Sequence, residues 1–212
     1  MLYFLKSLFF STKTDGESKK DNSNREEDSL SGEWVDAYLK YIPGETGDAF
    51  EIRGLATKIL SYQNKMGTGG ALYFWAGPVP LDGDIDTACD YGMDCSGSVH
   101  TIALALGFET KDEATAKRST SSLIPWLVSI VSVDGDTVVS GSYDDVIVGD
   151  VACYDGHVAM VVGFDNNLFP LVLSMSGGGE TTKGNNANAR AKLMACNYRS
   201  DFVGIKRFPS RM

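Results

Sequence analysis

Apolar positions follow two periods along this chain, a helical one in the first half and a strand-like one in the second. Ile52, Leu55, Ala56, Ile59, Leu60 and Tyr62 line one side of a predicted helix over Phe50 to Lys65, broken by Gly67-Thr68-Gly69-Gly70. Val99, Ile102, Ala103 and Leu106 define another, capped by Asp94 at its start and ended by Gly107. Trp34, Tyr38, Leu39 and Tyr41 suggest a short helix stopped by Pro43-Gly44, and Asp112 to Lys117 predicts a helical turn. Ser119 to Ser122 caps a segment containing Pro125, Trp126 and Leu127.

Beyond Leu127 the pattern changes to β-branched runs separated by Gly, Asp and Asn turns. The predicted strands hold Val128 to Val133, Val138-Val139, Val146 to Val148, Val151 to Tyr154 and Val158 to Gly163. Leu171 to Ser176, Leu193 to Cys196 and Phe202 to Phe208 complete the set, while Gly177 to Asn188 reads as a mobile surface loop. Helices first and an antiparallel sheet after them is the α+β order.

Two N-terminal stretches stand apart. Met1 to Phe10 is apolar around Lys6, too short to span a bilayer and without the basic start and cleavage site of a secretory signal. It is expected to dock on a membrane surface or a protein partner, or to pack on the domain. Residues 11–32 are polar and charged and are expected to be a disordered linker, with the domain running from 33 to 212. Neither the oligomeric state nor the place of action follows from the residues.

Composition narrows the function. A net charge of −9 argues against nucleic acid or an anionic membrane as the main partner. Cys89, Cys95, Cys153 and Cys196 lack zinc spacing, and only two histidines are present to help bind a metal. Asp82, Asp84 and Asp86 loosely follow a calcium loop, but the closing glutamate is missing, so a solvated loop is expected.

Cys95 begins the Asp94-capped helix, where helix dipole and unpaired N–H groups favour the thiolate; Ser96 and Gly97 leave room for a substrate backbone. A thiol nucleophile needs a base. His100 falls on a different face of the same helix and reads as a packing residue. His157, opening a strand after Gly156, is the remaining candidate. Antiparallel pairing about a turn centred between Asp165 and Asn166 sets Ser174 opposite His157 as its orienting group, with Ser176 as the fallback if a bulge near Phe169-Pro170 shifts the register.

These residues resemble the NlpC/P60 family of cysteine peptidases, part of the papain-like group. Asp94-Cys95-Ser96-Gly97 matches the family's D-C-S-G at a helix start. Tyr73-Phe74-Trp75-Ala76-Gly77 matches its Y-x-W-G-G-like segment, with alanine for the first glycine. Gly149-Asp150 with Tyr154 and Gly156-His157-Val158-Ala159 match its downstream elements, and Phe202 to Arg207 its closing strand. The resemblance runs from about Leu55 to Phe208. It implies a papain-like fold with N-terminal helices on an antiparallel sheet, Cys95 as nucleophile, His157 as base, and Tyr73 beside the oxyanion. Ser174 stands where the family usually has His, Asn or Gln. The implied activity is hydrolysis of an amide bond in peptidoglycan stem peptides, of the D-glutamyl-diamino acid type, hence action on the cell wall, with no cofactor or metal needed. A thiol acyltransferase or lipid amidase on the same fold, and a non-catalytic wall-binding module, are the competing readings.

Overall fold

The structure is a computed structural model that describes residues 47–77, 80–135 and 137–212. The expectations for residues 1–10, the linker, the Trp34 helix and the start of the domain concern residues outside those described. Five helices and a seven-stranded antiparallel sheet make a mixed α+β architecture among the described residues.

The helices are α1 Asp48–Ser61, α2 Ile85–Tyr91, α3 Cys95–Ala105, α4 Lys111–Ala116 and α5 Thr120–Trp126. Ile52, Ala56 and Ile59 turn one face of α1 into the core. That helix stops at Ser61 rather than reaching Lys65. The reason is local: Asn64 accepts the Met66 N–H at 2.9 Å and donates to the Gly70 carbonyl at 2.6 Å, closing a side-chain turn that competes with another helical turn. The Asp-rich loop after Pro80 also differs from expectation, because its end is helix α2. Asp84 is the N-cap, accepting from the N–H groups of Asp86 and Thr87, and Asp86 pairs with Lys58 at 2.7 Å. Those carboxylates are engaged by backbone and lysine. Among the described residues no group of three or more His, Cys, Asp or Glu is placed to hold a metal ion, and no helix is long and apolar enough to cross a membrane.

The strands are β1 Val128–Asp134, β2 Thr137–Ser140, β3 Val151–Tyr154, β4 His157–Phe164, β5 Pro170–Ser176, β6 Arg190–Ala195 and β7 Phe202–Arg207. They lie in the order β2-β1-β7-β3-β4-β5-β6. Strand β4 is an interior strand, between β3 and β5, and is buried on both faces. Val158, Met160 and Val162 join the core formed with α1 and α3, while Ala159 and Val161 join a second cluster with Tyr154, Val172 and Phe202. Val146 to Val148 is not a strand. The chain there is drawn into a turn by buried Asp150, which accepts the Ile147 N–H at 2.9 Å and pairs with Arg207 of β7 at 2.7 Å.

The β4–β5 register also departs from expectation. Met160 pairs with Leu173 and Val161 with Val172, a slip of two residues, and a bulge follows before Gly163. A slip by an even number preserves which side chains share a face. Ser174 therefore stays on the face of His157, but diagonal to it rather than opposite.

Candidate active site

Four segments converge at the N-terminal end of α3. Asp94 fixes the helix start: one carboxylate oxygen accepts from the Gly97 N–H at 2.7 Å and the Ser96 hydroxyl at 3.2 Å. The other oxygen accepts the Ala76 N–H at 3.2 Å, tying the aromatic segment to the helix. Ala76 has φ +48°, a left-handed conformation that costs a non-glycine residue about 1 kcal/mol or more.

Cys95 is the first residue of α3 and 5% exposed. The sequence expectation of a favoured thiolate is reversed here. Burial, and secondarily the Asp94 carboxylate, push its thiol up to about 11, against the pull of the Val158, Ser96 and Cys95 backbone N–H groups. The helix start supplies those N–H groups, but desolvation outweighs them. Cys89, Cys153 and Cys196 are buried and pushed up to about 12. The Val158 backbone N–H is among the groups that favour the thiolate, which puts the sulfur near the beginning of β4, next in chain to His157.

Tyr154 and His157 pair across the two-residue turn Asp155-Gly156, where Gly156 takes φ +67°. His157 is 7% exposed and its Nε2 lies 3.1 Å from the Ser174 hydroxyl. The expected Ser174 contact is thus direct, although the register that predicted it was wrong. A third group was missed: the Tyr198 hydroxyl, 3.0 Å from the same Nε2 and 2.8 Å from the Ser174 oxygen. Tyr198 sits in the β6–β7 turn, far along the chain from His157, and no local pattern in the sequence marks it.

Tyr73 lies beside the thiol. It is buried, its N–H donates to Ala189 and its carbonyl accepts from Gly184. Its phenol is pushed above the ordinary range by burial first and then by the charges of Cys95 and Asp94. Among the described residues its hydroxyl has no hydrogen-bond partner. The Gly177 to Asn188 loop, expected to be mobile, is fastened to this segment. The Trp75 N–H donates to the Thr182 carbonyl at 2.9 Å and Lys183 Nζ donates to the Trp75 carbonyl at 2.7 Å. A Cβ on Gly178 would stand 2.3 Å from the Tyr73 ring, so the loop backbone rests directly on that aromatic face.

A cleft of about 290 Å³ opens beside the sulfur, bounded by Trp75, Cys95, Ser96, Arg118, Thr120 and Gly156. Arg118 reaches it with one arm donating to the Gly77 carbonyl at 2.8 Å, and no described carboxylate pairs with it. Arg118 was not singled out from the sequence, because nothing local separates it from other surface arginines. His100 is away from this site. It is fully buried, with Nδ1 2.7 Å from Glu109 and Nε2 3.0 Å from the Lys117 carbonyl, a packing histidine with an internal partner.

No protein-family model, curated protein or solved structure matches this chain.

Proposed function

We propose that this protein is a cysteine-dependent amide hydrolase of the NlpC/P60 type, with a papain-like fold, that cleaves peptidoglycan stem peptides. The observation that carries the reading is the thiol at a capped helix start near the beginning of β4, the strand opened by a histidine whose Nε2 lies within hydrogen-bond distance of two hydroxyls. Supporting it, the position where the family motif has its first glycine, Ala76, takes a positive φ.

The mechanism follows from the electrostatics. Burial first, and the Asp94 carboxylate second, hold the Cys95 thiol above its ordinary range, so the resting group at neutral pH is the thiol. Attack is then general-base assisted rather than launched from a resting ion pair. His157 Nδ1, the ring nitrogen away from Ser174 and Tyr198, takes the thiol proton as sulfur bonds to the carbonyl carbon. The carbonyl oxygen gains charge beside the Cys95 N–H and the Tyr73 hydroxyl. His157 then gives the proton to the departing amine, leaving a thioester. Water, losing a proton to His157, adds to that thioester and releases acid and thiol. Arg118 beside the sulfur fits a free carboxylate on the acyl group, as a γ-linked glutamyl residue carries. Arg118 and Thr120 offer polar contacts to a peptide, while the cleft walls are more apolar than polar, so acyl-lipid amides belong in the test as the competing substrates.

The test is digestion of defined stem-peptide fragments with product masses read by mass spectrometry. Cleavage between the glutamyl and diamino acid residues, lost in folded Cys95→Ala, is the expected result. Full activity in Cys95→Ala, or cleavage of acyl-lipid amides alone, sinks the proposal.

A further inference from the structure

We infer that Tyr198 and Ser174 act together as a two-hydroxyl clamp that positions the His157 imidazole, so that neither hydroxyl alone is the orienting group. The inference rests on the proposed role of His157 as the base.

Three polar atoms form a closed triangle with edges of 3.1, 3.0 and 2.8 Å. A protonated Nε2 has one hydrogen to give, and each hydroxyl has one hydrogen and two lone pairs. With Nε2 protonated, either hydroxyl receives that hydrogen and the second hydroxyl bonds the first. Both oxygens are thus in place to accept from the tautomer that leaves Nδ1 to serve as base. Removing one oxygen leaves the other at hydrogen-bond distance, so the pair is redundant.

Tyr198 is well held for such a task. Its ring meets the Tyr154 ring edge-on at 5.4 Å, and the Tyr154 hydroxyl donates to the Cys196 carbonyl at 2.7 Å, tying the β6–β7 turn to β3. Tyr154 also contacts the His157 ring at 5.4 Å, so one buried aromatic braces both partners. Arg199 and Asp201 close the same turn with two hydrogen bonds of 2.8 and 2.6 Å. Ser174 is fully buried on rigid β5. A serine alone is a short, weak partner for an imidazole. The second hydroxyl comes from a turn that the rest of the fold immobilises, which keeps the ordering cost low at the moment of reaction.

The consequence is non-additivity. Ser174→Ala and Tyr198→Phe each lower kcat about three- to fivefold with KM little changed, and the double variant lowers it about 100-fold, more than the product of the two. A readout independent of catalysis accompanies the kinetics. The chain has only two histidines, so ¹⁵N-histidine NMR resolves His157 against the internally paired His100. The Nε2–H tautomer of His157 should dominate in the wild type, shift slightly in each single variant and lose its preference in the double. A single-orienter outcome, with Ser174→Ala as damaging as the double and Tyr198→Phe silent, overturns the clamp. So does an unchanged tautomer ratio in a folded double variant. Should the double variant unfold, Tyr198→Phe decides the matter, and unchanged kcat and tautomer ratio count against the inference. If the wild type cleaves no peptide amide, the NMR arm alone decides the clamp, and only the proposed reaction falls.

Discussion

Replacing Asp94 with asparagine separates the two things this carboxylate does to Cys95. As a cap, Asn is nearly equivalent to Asp, so the 2.7 Å bond to the Gly97 N–H survives through the amide oxygen. The amide NH₂ cannot accept the Ala76 N–H, and that 3.2 Å bond is lost at a cost of about 1 kcal/mol. The charge effect runs the other way. Cys95 at about 11, against about 9 for an ordinary thiol, represents about 3 kcal/mol favouring thiol over thiolate, with burial the larger cause and Asp94 the second. Removing the charge should raise the thiolate fraction about three- to tenfold at neutral pH. A less basic thiolate is also a weaker nucleophile, by roughly the square root of that change, so the net gain in alkylation rate is about two- to threefold. At pH above the titration the order inverts, because both proteins are then fully ionised and the variant thiolate is weaker. The assay is iodoacetamide modification of Cys95 followed by peptide mass mapping from neutral to strongly alkaline pH, with a melting curve to confirm the fold. Two pH–rate curves that cross are the expected signature. Curves that coincide, or a variant slower at neutral pH while still folded, would show that the sulfur does not feel the Asp94 charge.

Two further outcomes follow from packing and burial. Gly178→Ala places a methyl group 2.3 Å from the Tyr73 ring, so the loop or the ring must shift; a loss of about 1–3 kcal/mol in urea denaturation is expected, and a variant as stable as the parent would mean the loop does not rest on the ring. All four cysteines are raised in the folded state, to about 11 or 12 against about 9 when unfolded, so their contribution is fully present below pH 9 and lost as pH rises through 11 to 12. The urea midpoint should begin to fall near pH 9, and a flat profile to pH 12 would refute this.

Local signals carried most of the legible structure. The Asp94 cap and the apolar spacing after it were enough to place Cys95 at a helix start, because capping and i, i+3, i+4 contacts involve near neighbours in the chain. Alternation and turn residues sufficed for the β3–β4–β5 order, with His157 opening β4. The helix α2 was hidden because its cap lies in an acidic loop that also resembles a cation site. The run Val146 to Val148 has strand composition, yet Asp150 and Arg207 hold the chain away from the sheet.

By itself the sequence determined the α+β order, the capped helix beginning at Cys95, the strand beginning at His157 and the face that Ser174 shares with it. Each depends on periodicity or on neighbours a few residues apart, and the two-residue register slip left the last intact because side chains alternate with period two. Only the tertiary structure decided the protonation of Cys95, the seating of the Gly178 loop on Tyr73, the arrival of Arg118 at the cleft and the meeting of Tyr198 with Ser174 and His157. Burial sets a thiol's proton affinity through everything packed around it. A turn residue finds its partner only after the intervening strands have paired, so no stretch of chain read alone contains either result.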